Sequence, residues 1–550
     1  MYITPVHTKT KNGAISHTCW LLRHNVREGK KVKTKTLLNL TPYCTLEEIE
    51  AIRLALKHKG DLRQLASVSD INLQQGPAVG AVWLLHQLAI EVGLGSALGS
   101  DRNGLLALWQ VMARIIDQGS RLSAVRLTGS HAVCDILGIR EPFDEDDLYA
   151  NLAWLSQHQE QIERRLYRHR HGACPPVLFL YDVTSSYLEG EHNALAAWGY
   201  NRDGKKGKRQ VVVGLLCDEA GDPISIEVFK GNTSDPKTVK DQIDKVAGRF
   251  GCQRVIFVGD RGMIKSGSLE DLSEAGFLYI TAITKPQIET LLKQDVLQLD
   301  LFSDALCEVT HDGVRYVLRR NPHRVDELAA QRQGKRETIA RLIAEKNIYL
   351  ADHPRAQEDV ALRVVQRRIS RLKVARWVSV TASERTLTLV VDDAALAEES
   401  RLDGCYVIKS DVPQDEASSR VIHDRYKELK LVETAFRTSK TGFLEMRPWH
   451  VRTEESTRGH AFVVMLAYLL VKRLTERWRK LEVTVAEGIH ILGQLCAVTV
   501  QVAAQASCYR VPTPSDLQKK LLTCAGVVIP EVVPKLNVNV VSRKKPRKIP

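Results

Sequence analysis

The sequence predicts a multidomain α/β protein whose central sheet is buried on both faces and is interrupted by an inserted domain. Three observations predict it. Two apolar runs of strand length, in "CPPVLFLYDVTSSYLEG" and "CQRVIFVGDRGM", carry Asp182 and Asp260 toward their ends, as strands covered on both sides do. Between them stand two β-rich runs and a helical one. A later helical stretch, "RYKELKLVETAFRTSK", holds Glu433 among apolar neighbours, after a long mixed segment.

Residues 1–75 alternate apolar and polar around "HTCWLLRH" and "KVKTKTLLNL", then turn helical in "TLEEIEAIRLALKHKG". Thr45 followed by Glu48 is a capping-box pattern, so a small β-then-α unit is expected. From 80 to 170 the period is helical throughout, broken at "GLGSALGSDRNG" and "GIREPFDEDD". This is a helical domain suited to reading a DNA end, or equally to packing and dimerisation.

Residues 174–285 form the first part of the core. After the Asp182 strand, "KRQVVVGLLCDE" and "DPISIEVFKGN" read as a hairpin, and "SDPKTVKDQIDKVAGRF" as a helix capped by Ser234 with Pro236 in its first turn. The Asp260 strand, a short helix "SLEDLSEAG" and the strand "FLYITAIT" complete a β-β-β-α-β-α-β order. In that order the first and fourth strands are expected as parallel neighbours, with Asp182 and Asp260 at adjacent strand ends, where α/β sheets carry their sites.

Residues 286–405 read as the inserted domain, with strand signals in "GVRYVLRR" and "TLTLVVDD" and a basic helix in "RVVQRRISRLKVARW". Residues 406–510 are expected to hold the second part of the core and C-terminal helices. Residues 511–550, ending "SRKKPRKIP", are expected to be a basic, flexible tail.

The chain has 78 Lys and Arg against 65 Asp and Glu, a formal net charge of +13, which makes a polyanion such as nucleic acid the natural partner. Its 11 cysteines include no C-x-x-C pair, against a disulfide framework or a zinc module and in keeping with a reducing cytoplasm. The start lacks a signal pattern, and "AFVVMLAYLLV" is too short to cross a bilayer, so no membrane association is expected.

Taken alone, Asp182 or Asp260 at a strand end is a turn or cap residue. The coincidence of two acids on apolar strands with a third on a following helix points instead to a metal site. Mg²⁺ prefers oxygen ligands, and two such ions roughly 3.5–4 Å apart activate the attacking oxygen and stabilise the leaving one in phosphodiester chemistry. Tyr426, Glu433 and Lys440 stand seven apart on one helix face, with Leu429 and Phe436 between them. Tyr426 and Lys440 either cover that face, or Lys440 pairs with a phosphate and Tyr426 stacks or hydrogen-bonds nearby, and Arg261 is a DNA contact or a surface charge. The loop "NRDGKKGKRQ" reads as a solvated hairpin turn, with phosphate contact as the lesser alternative. Trp198 and Trp377 are candidates to stack on an unpaired base, although tryptophan is more often core. His169 and His171 have no partners at zinc-ligand spacing and read as linker residues.

These residues resemble those of a DDE transposase of a bacterial insertion sequence, in the large group whose third acid lies in a Y-x2-R-x3-E-x6-K signature. Tyr426, Glu433 and Lys440 fit the pattern, while Leu429 stands where it has arginine. Lys430 or Arg437, each within a turn of Glu433, could supply the missing charge. "YDVTSSYLEG", "FKGNTSD", "VGDRGM" and "LEMRPWHVRTEESTRGH" resemble further family segments. The resemblance implies an RNase H-like core with an inserted domain, and Asp182, Asp260 and Glu433 as catalytic ligands of two Mg²⁺ ions, for which Mn²⁺ can substitute. It further implies cutting and joining at terminal inverted repeats and into target DNA, a homodimer in the synaptic complex, and a bacterial cytoplasmic, nucleoid-associated setting. A related nuclease without strand transfer and a silent, transposase-derived DNA-binding protein are the alternatives.

Overall fold

Along Leu178–Tyr187 (β1) successive side chains enter two different cores, because strand side chains alternate between faces. Leu178 and Leu180 join one apolar cluster, and Phe179, Tyr181 and Val183 join the other. The same alternation sends Val211, Val213 and Leu215 of Gln210–Asp218 (β2) to the first cluster and Val212 and Leu216 to the second. Pro223–Lys230 (β3), Ile256–Gly259 (β4) and Leu278–Ala282 (β5) follow in the chain. β1 pairs in parallel with β4, and β4 with β5, while β1, β2 and β3 form an antiparallel meander. The parallel adjacency expected from the element order is therefore present.

This computed structural model describes residues 1–9, 15–59, 71–172, 175–205, 207–264, 266–447, 449–502 and 506–542. The central sheet has eight strands, and its far side is built by segments expected to lie in the insertion. Cys307–His311 (β6) and Val314–Arg320 (β7) form a hairpin, and Cys405–Ser410 (β8) joins it to β5, giving the order β6-β7-β8-β5-β4-β1-β2-β3. The β6–β7 hairpin within the 286–405 segment is thus sheet, with β8 following at the segment's end; Val317 and Ile408 enter the first cluster, and Leu318 and Val407 a further one. One separate core forms between helices Pro322–Asp352 and Glu358–Leu372 and the hairpin Val378–Ser383/Thr386–Val391, where Trp377 is buried, and another gathers Ile288, Leu297, Phe302, Leu318, Leu402 and Val407.

The helices between 80 and 171 share one continuous core with the sheet and with helix Glu454–Trp478. Helix Glu145–His171 approaches Glu454–Trp478 so closely that a Cβ on Gly459 would lie 2.0 Å from the Leu152 carbonyl oxygen. Only glycine admits that contact.

At the N-terminus, strands Tyr2–Lys9, Ile15–Glu28 and Lys31–Asn39 form an antiparallel sheet, followed by helix Leu46–Lys57 with the Thr45/Glu48 capping box in place. Two expectations for the C-terminal part are corrected. Cys496–Val502 and Ala506–Arg510, read as helical, are strands in a sheet with Ile71–Ala78 and Val532–Val533. The alternating β-branched residues of "CAVTVQV" favour a pleated partner over a helix. The segment from 511, read as a tail, contains helix Asp516–Cys524 with a Ser515/Gln518 capping box, anchored by buried Leu521 and Leu522; residues 543–550 lie outside the described residues. No helix among the described residues is long and apolar enough to cross a membrane.

Gly459→Ala should destabilise the fold by about 1–3 kcal/mol through overpacking, despite alanine's higher helix propensity. Urea denaturation checks this; a stability gain would mean the two helices are not held at this distance.

Candidate active site

The last parallel rung between β1 and β4 pairs Tyr181 with Gly259. Asp182 and Asp260 come one residue later on each chain. Leu180 and Val258, two residues before them, share the first apolar cluster, so both acids follow on the face that cluster covers. Asp182 is only partly exposed and accepts a 2.7 Å hydrogen bond from the Val183 N–H. Burial pushes its carboxyl up to about 7; the Val183 hydrogen bond opposes this, the charges of Asp260 and Glu433 add to it, and Arg202 pulls the other way.

The third acid reaches this face from a helical segment that breaks once. Ser419–Lys427, capped by Ser418, ends at Glu428, and Leu429–Arg437 begins there. The second helix buries Leu429, Val432, Ala435 and Phe436 in the same cluster. This leaves Glu433 exposed on the opposite side, in an open cleft of about 370 Å³ lined also by Asp182, Thr184, Arg202, Asp260 and Arg437.

Tyr426 donates its hydroxyl to Asp260 Oδ1 at 3.0 Å, and burial together with the Asp260 charge raises its pKa. Lys440 lies in a π-helical turn, Thr438–Gly442, and its Nζ donates to Thr184 Oγ1 at 2.9 Å and to Asp203 Oδ1 at 2.6 Å. Burial lowers the Lys440 pKa, and the bond to Asp203 opposes the shift. Arg447 meets the same Asp203 oxygen at 2.5 Å, and the Tyr187 N–H donates to its other oxygen. One buried carboxylate therefore fixes two cations in the cleft wall.

Among the described residues, no three His, Cys, Asp or Glu side chains gather closely enough to cage one ion. The three acids share the cleft without converging on a point. Their donor set still fits hard divalent cations: it is all oxygen, it is open, and the charges of Asp260 and Glu433 add to the raised proton affinity of Asp182, a repulsion that a cation relieves. Two ions roughly 3.5–4 Å apart also spread their ligands over two positions.

A family model described as "Transposase DDE domain" matches residues 173–470, more than half of the chain. The chain belongs to the DDE transposases. A second model, the IS1634 family transposase N-terminal domain, matches residues 3–68, which makes it a transposase of the bacterial insertion-sequence kind. It is an enzyme that cleaves and transfers DNA strands, and its DDE domain implies an RNase H-like core and divalent metal use. A cryo-EM structure titled as the piggyBac transposase synaptic complex with hairpin DNA is 9% identical over 82% of each chain, with a TM-score of 0.36, a likeness too loose to argue from. No curated protein sequence matches the chain.

In the transposase cleft the sequence-expected residues divide. Asp182, Asp260, Glu433, Arg437 and Lys440 line it, with Tyr426 bonded to Asp260 behind. Lys430 is exposed and does not line it, since Leu429 on one side of it is in the core. Arg261 is exposed at its edge and acts on Tyr426 through its charge. Trp377 is core, whereas Trp198 is 64% exposed. The start of the loop "NRDGKKGKRQ" forms a wall of the site, where Arg202 bridges both Asp235 oxygens and the Asp203 side chain is buried, while Gly204, Lys205, Gly207 and Arg209 are exposed as a solvated turn would be. Sequence reading missed Arg202, Asp203 and Arg447. The signal available was one acid within a basic loop.

Asp203→Ala should cost about 3 kcal/mol, because it strands Lys440 and Arg447 without their partner. Guanidinium denaturation checks this, and a cost under about 1 kcal/mol would mean both cations find other partners.

Proposed function

We propose that Asp182, Asp260 and Glu433 are the catalytic acids for cutting and joining DNA at the terminal inverted repeats of an insertion sequence. The observation that carries this is the placement of two aspartates one residue past the β1–β4 rung, on one face, with Glu433 across the same cleft. The acids would hold two Mg²⁺ ions, with Mn²⁺ as an accepted substitute. When bound, the metal supplies charge stabilisation for the attacking and leaving oxygens.

The protein's own groups orient the reaction. Tyr426, through its hydroxyl on Asp260, holds that carboxylate's orientation. Lys440, fixed by Asp203, and Arg437 present positive charge to the phosphate at the cleft. Water attacks the phosphodiester at the element boundary and releases a 3′ hydroxyl. That hydroxyl then attacks a target phosphodiester, expelling its 3′ oxygen, with no covalent bond to the protein. Arg363, Arg367 and Arg371 form an exposed row four residues apart on the inserted domain's second helix, a surface suited to the DNA backbone. Holding both element ends together requires two copies, so the synaptic complex is a homodimer, working at the bacterial nucleoid.

Asp182→Asn should lower cleavage of an element-end duplex in Mg²⁺ more than about 100-fold while leaving end binding intact, since it removes a direct ligand. A gel assay with supercoiled target reads both steps; unchanged cutting removes Asp182 from the site, and products opened but never joined assign a nuclease. Arg437→Ala should weaken binding and reduce its salt slope by about one, whereas Lys430→Ala should change neither. The reverse pattern would move the compensating charge to Lys430.

A further inference from the structure

A second cavity, of about 280 Å³, lies beside the catalytic cleft and shares Arg447 with it. Arg114, Arg121, Tyr149, Glu445, His450 and His460 line it. Arg114 and Arg121 are 6% and 5% exposed. Their partners are neutral acceptors: Arg114 Nη1 donates to the Gln118 carbonyl at 2.6 Å, and Arg121 to Gln110 Oε1 at 2.7 Å and His460 Nδ1 at 3.0 Å. Because a guanidinium only donates, His460 accepts on Nδ1 and turns its Nε2 hydrogen to the Met446 carbonyl at 3.3 Å. It is a neutral imidazole. Arg114 Nε, and Arg447 Nε on the shared wall, are buried without a hydrogen-bond partner among the described residues.

Elsewhere among the described residues the buried Arg315 and the partly buried Arg170 and Arg249 pair with acids. Arg170 meets Asp218 and Asp222, Arg249 meets Glu163, and Arg315 meets Glu308. Burying guanidinium groups on neutral acceptors alone is costly. Burial lowers both pKa values, Arg121 to about 9 and Arg114 to about 10, and each remains charged at neutral pH. The carboxylates acting on Arg114 are Asp117 and Glu445, neither within ion-pair distance of it among the described residues, and Glu445 is exposed at the cavity. What remains, among the described residues, is a pocket with two buried guanidinium groups that make no ion pair and a buried Nε without an acceptor, sharing Arg447 with the cleft. Its complement is a compact anion with several acceptor oxygens.

We propose that this cavity binds a backbone phosphate of the DNA strand lying in the catalytic cleft, a few nucleotides from the reacting bond. The inference rests on the reading of the cleft as the catalytic site. A strand with one phosphate at the acids must carry its next phosphates past the walls, and Arg447 leads from one cavity to the other. Phosphate contacts of this kind set register. Arg114 and Arg121 would therefore position the strand for the acids.

The test uses the full chain and element-end duplexes bearing single neutral methylphosphonates near the boundary, with binding read without divalent metal. Wild-type protein should lose about tenfold affinity at one position beside the cleaved bond. Arg114→Gln should bind the unmodified duplex about tenfold more weakly and become indifferent to that methylphosphonate. Glu445→Gln, at an exposed position, should bind more tightly and keep the interference, an effect no packing role produces, and it decides the matter if Arg114→Gln fails to fold. Unaltered interference in Arg114→Gln, or unaltered affinity in Glu445→Gln, overturns the proposal. So does inorganic phosphate protecting the wild type from thermal unfolding without competing with the duplex, which assigns a free-anion site. A protein that shows the interference and never cuts keeps this inference and loses the catalytic one; cutting without interference does the reverse.

Discussion

Everything at the cleft depends on the parallel register between β1 and β4. Because side chains alternate with a period of two, a slip of one residue would send Asp182 or Asp260 into the opposite core. That core is packed with Phe179, Tyr181 and Phe257, which could not accept a carboxylate. The register is held by apolar side chains on both faces, and the two acids appear where the paired rungs stop. The sheet therefore buries Asp182 at a place where the backbone also brings like charges together; burial raises its proton affinity, and the charges of Asp260 and Glu433 add to the shift.

Charge of the other sign is handled in three ways. In the sheet and helix layers, arginines are matched to buried acids and serve as braces. At the cleft wall one acid, Asp203, is shared by Lys440 and Arg447, so positive charge is both held in place and left partly available. In the adjoining cavity Arg114 and Arg121 have only neutral acceptors.

The core elements were legible because their patterns are locally complete. The apolar runs around Asp182 and Asp260 can only be buried strands, and Thr45 with Glu48 caps a helix whatever surrounds it. Elements whose character is set by distant partners were misread. Cys496–Val502 is a strand because Ile71–Ala78 pairs with it from the other end of the chain, and β6 and β7 extend the main sheet because β8 returns beside them. At the signature helix, periodicity placed Tyr426, Glu433 and Lys440 on one face. It could not show the break at Glu428, nor that Leu429 faces a core where the general pattern has arginine.

By itself the sequence determined the two strands that lead to Asp182 and Asp260 and the helix that carries Glu433, since local periodicity and strand length depend only on neighbouring residues. Only the tertiary structure decided which charges accompany them. Asp203 and Arg447 are far apart in the chain and meet through the packing of helix Leu429–Arg437 on β1, and Arg114 and Arg121 reach the same region from helices laid across Glu454–Trp478. Ion pairing and desolvation are properties of positions in space, and no window of residues contains them.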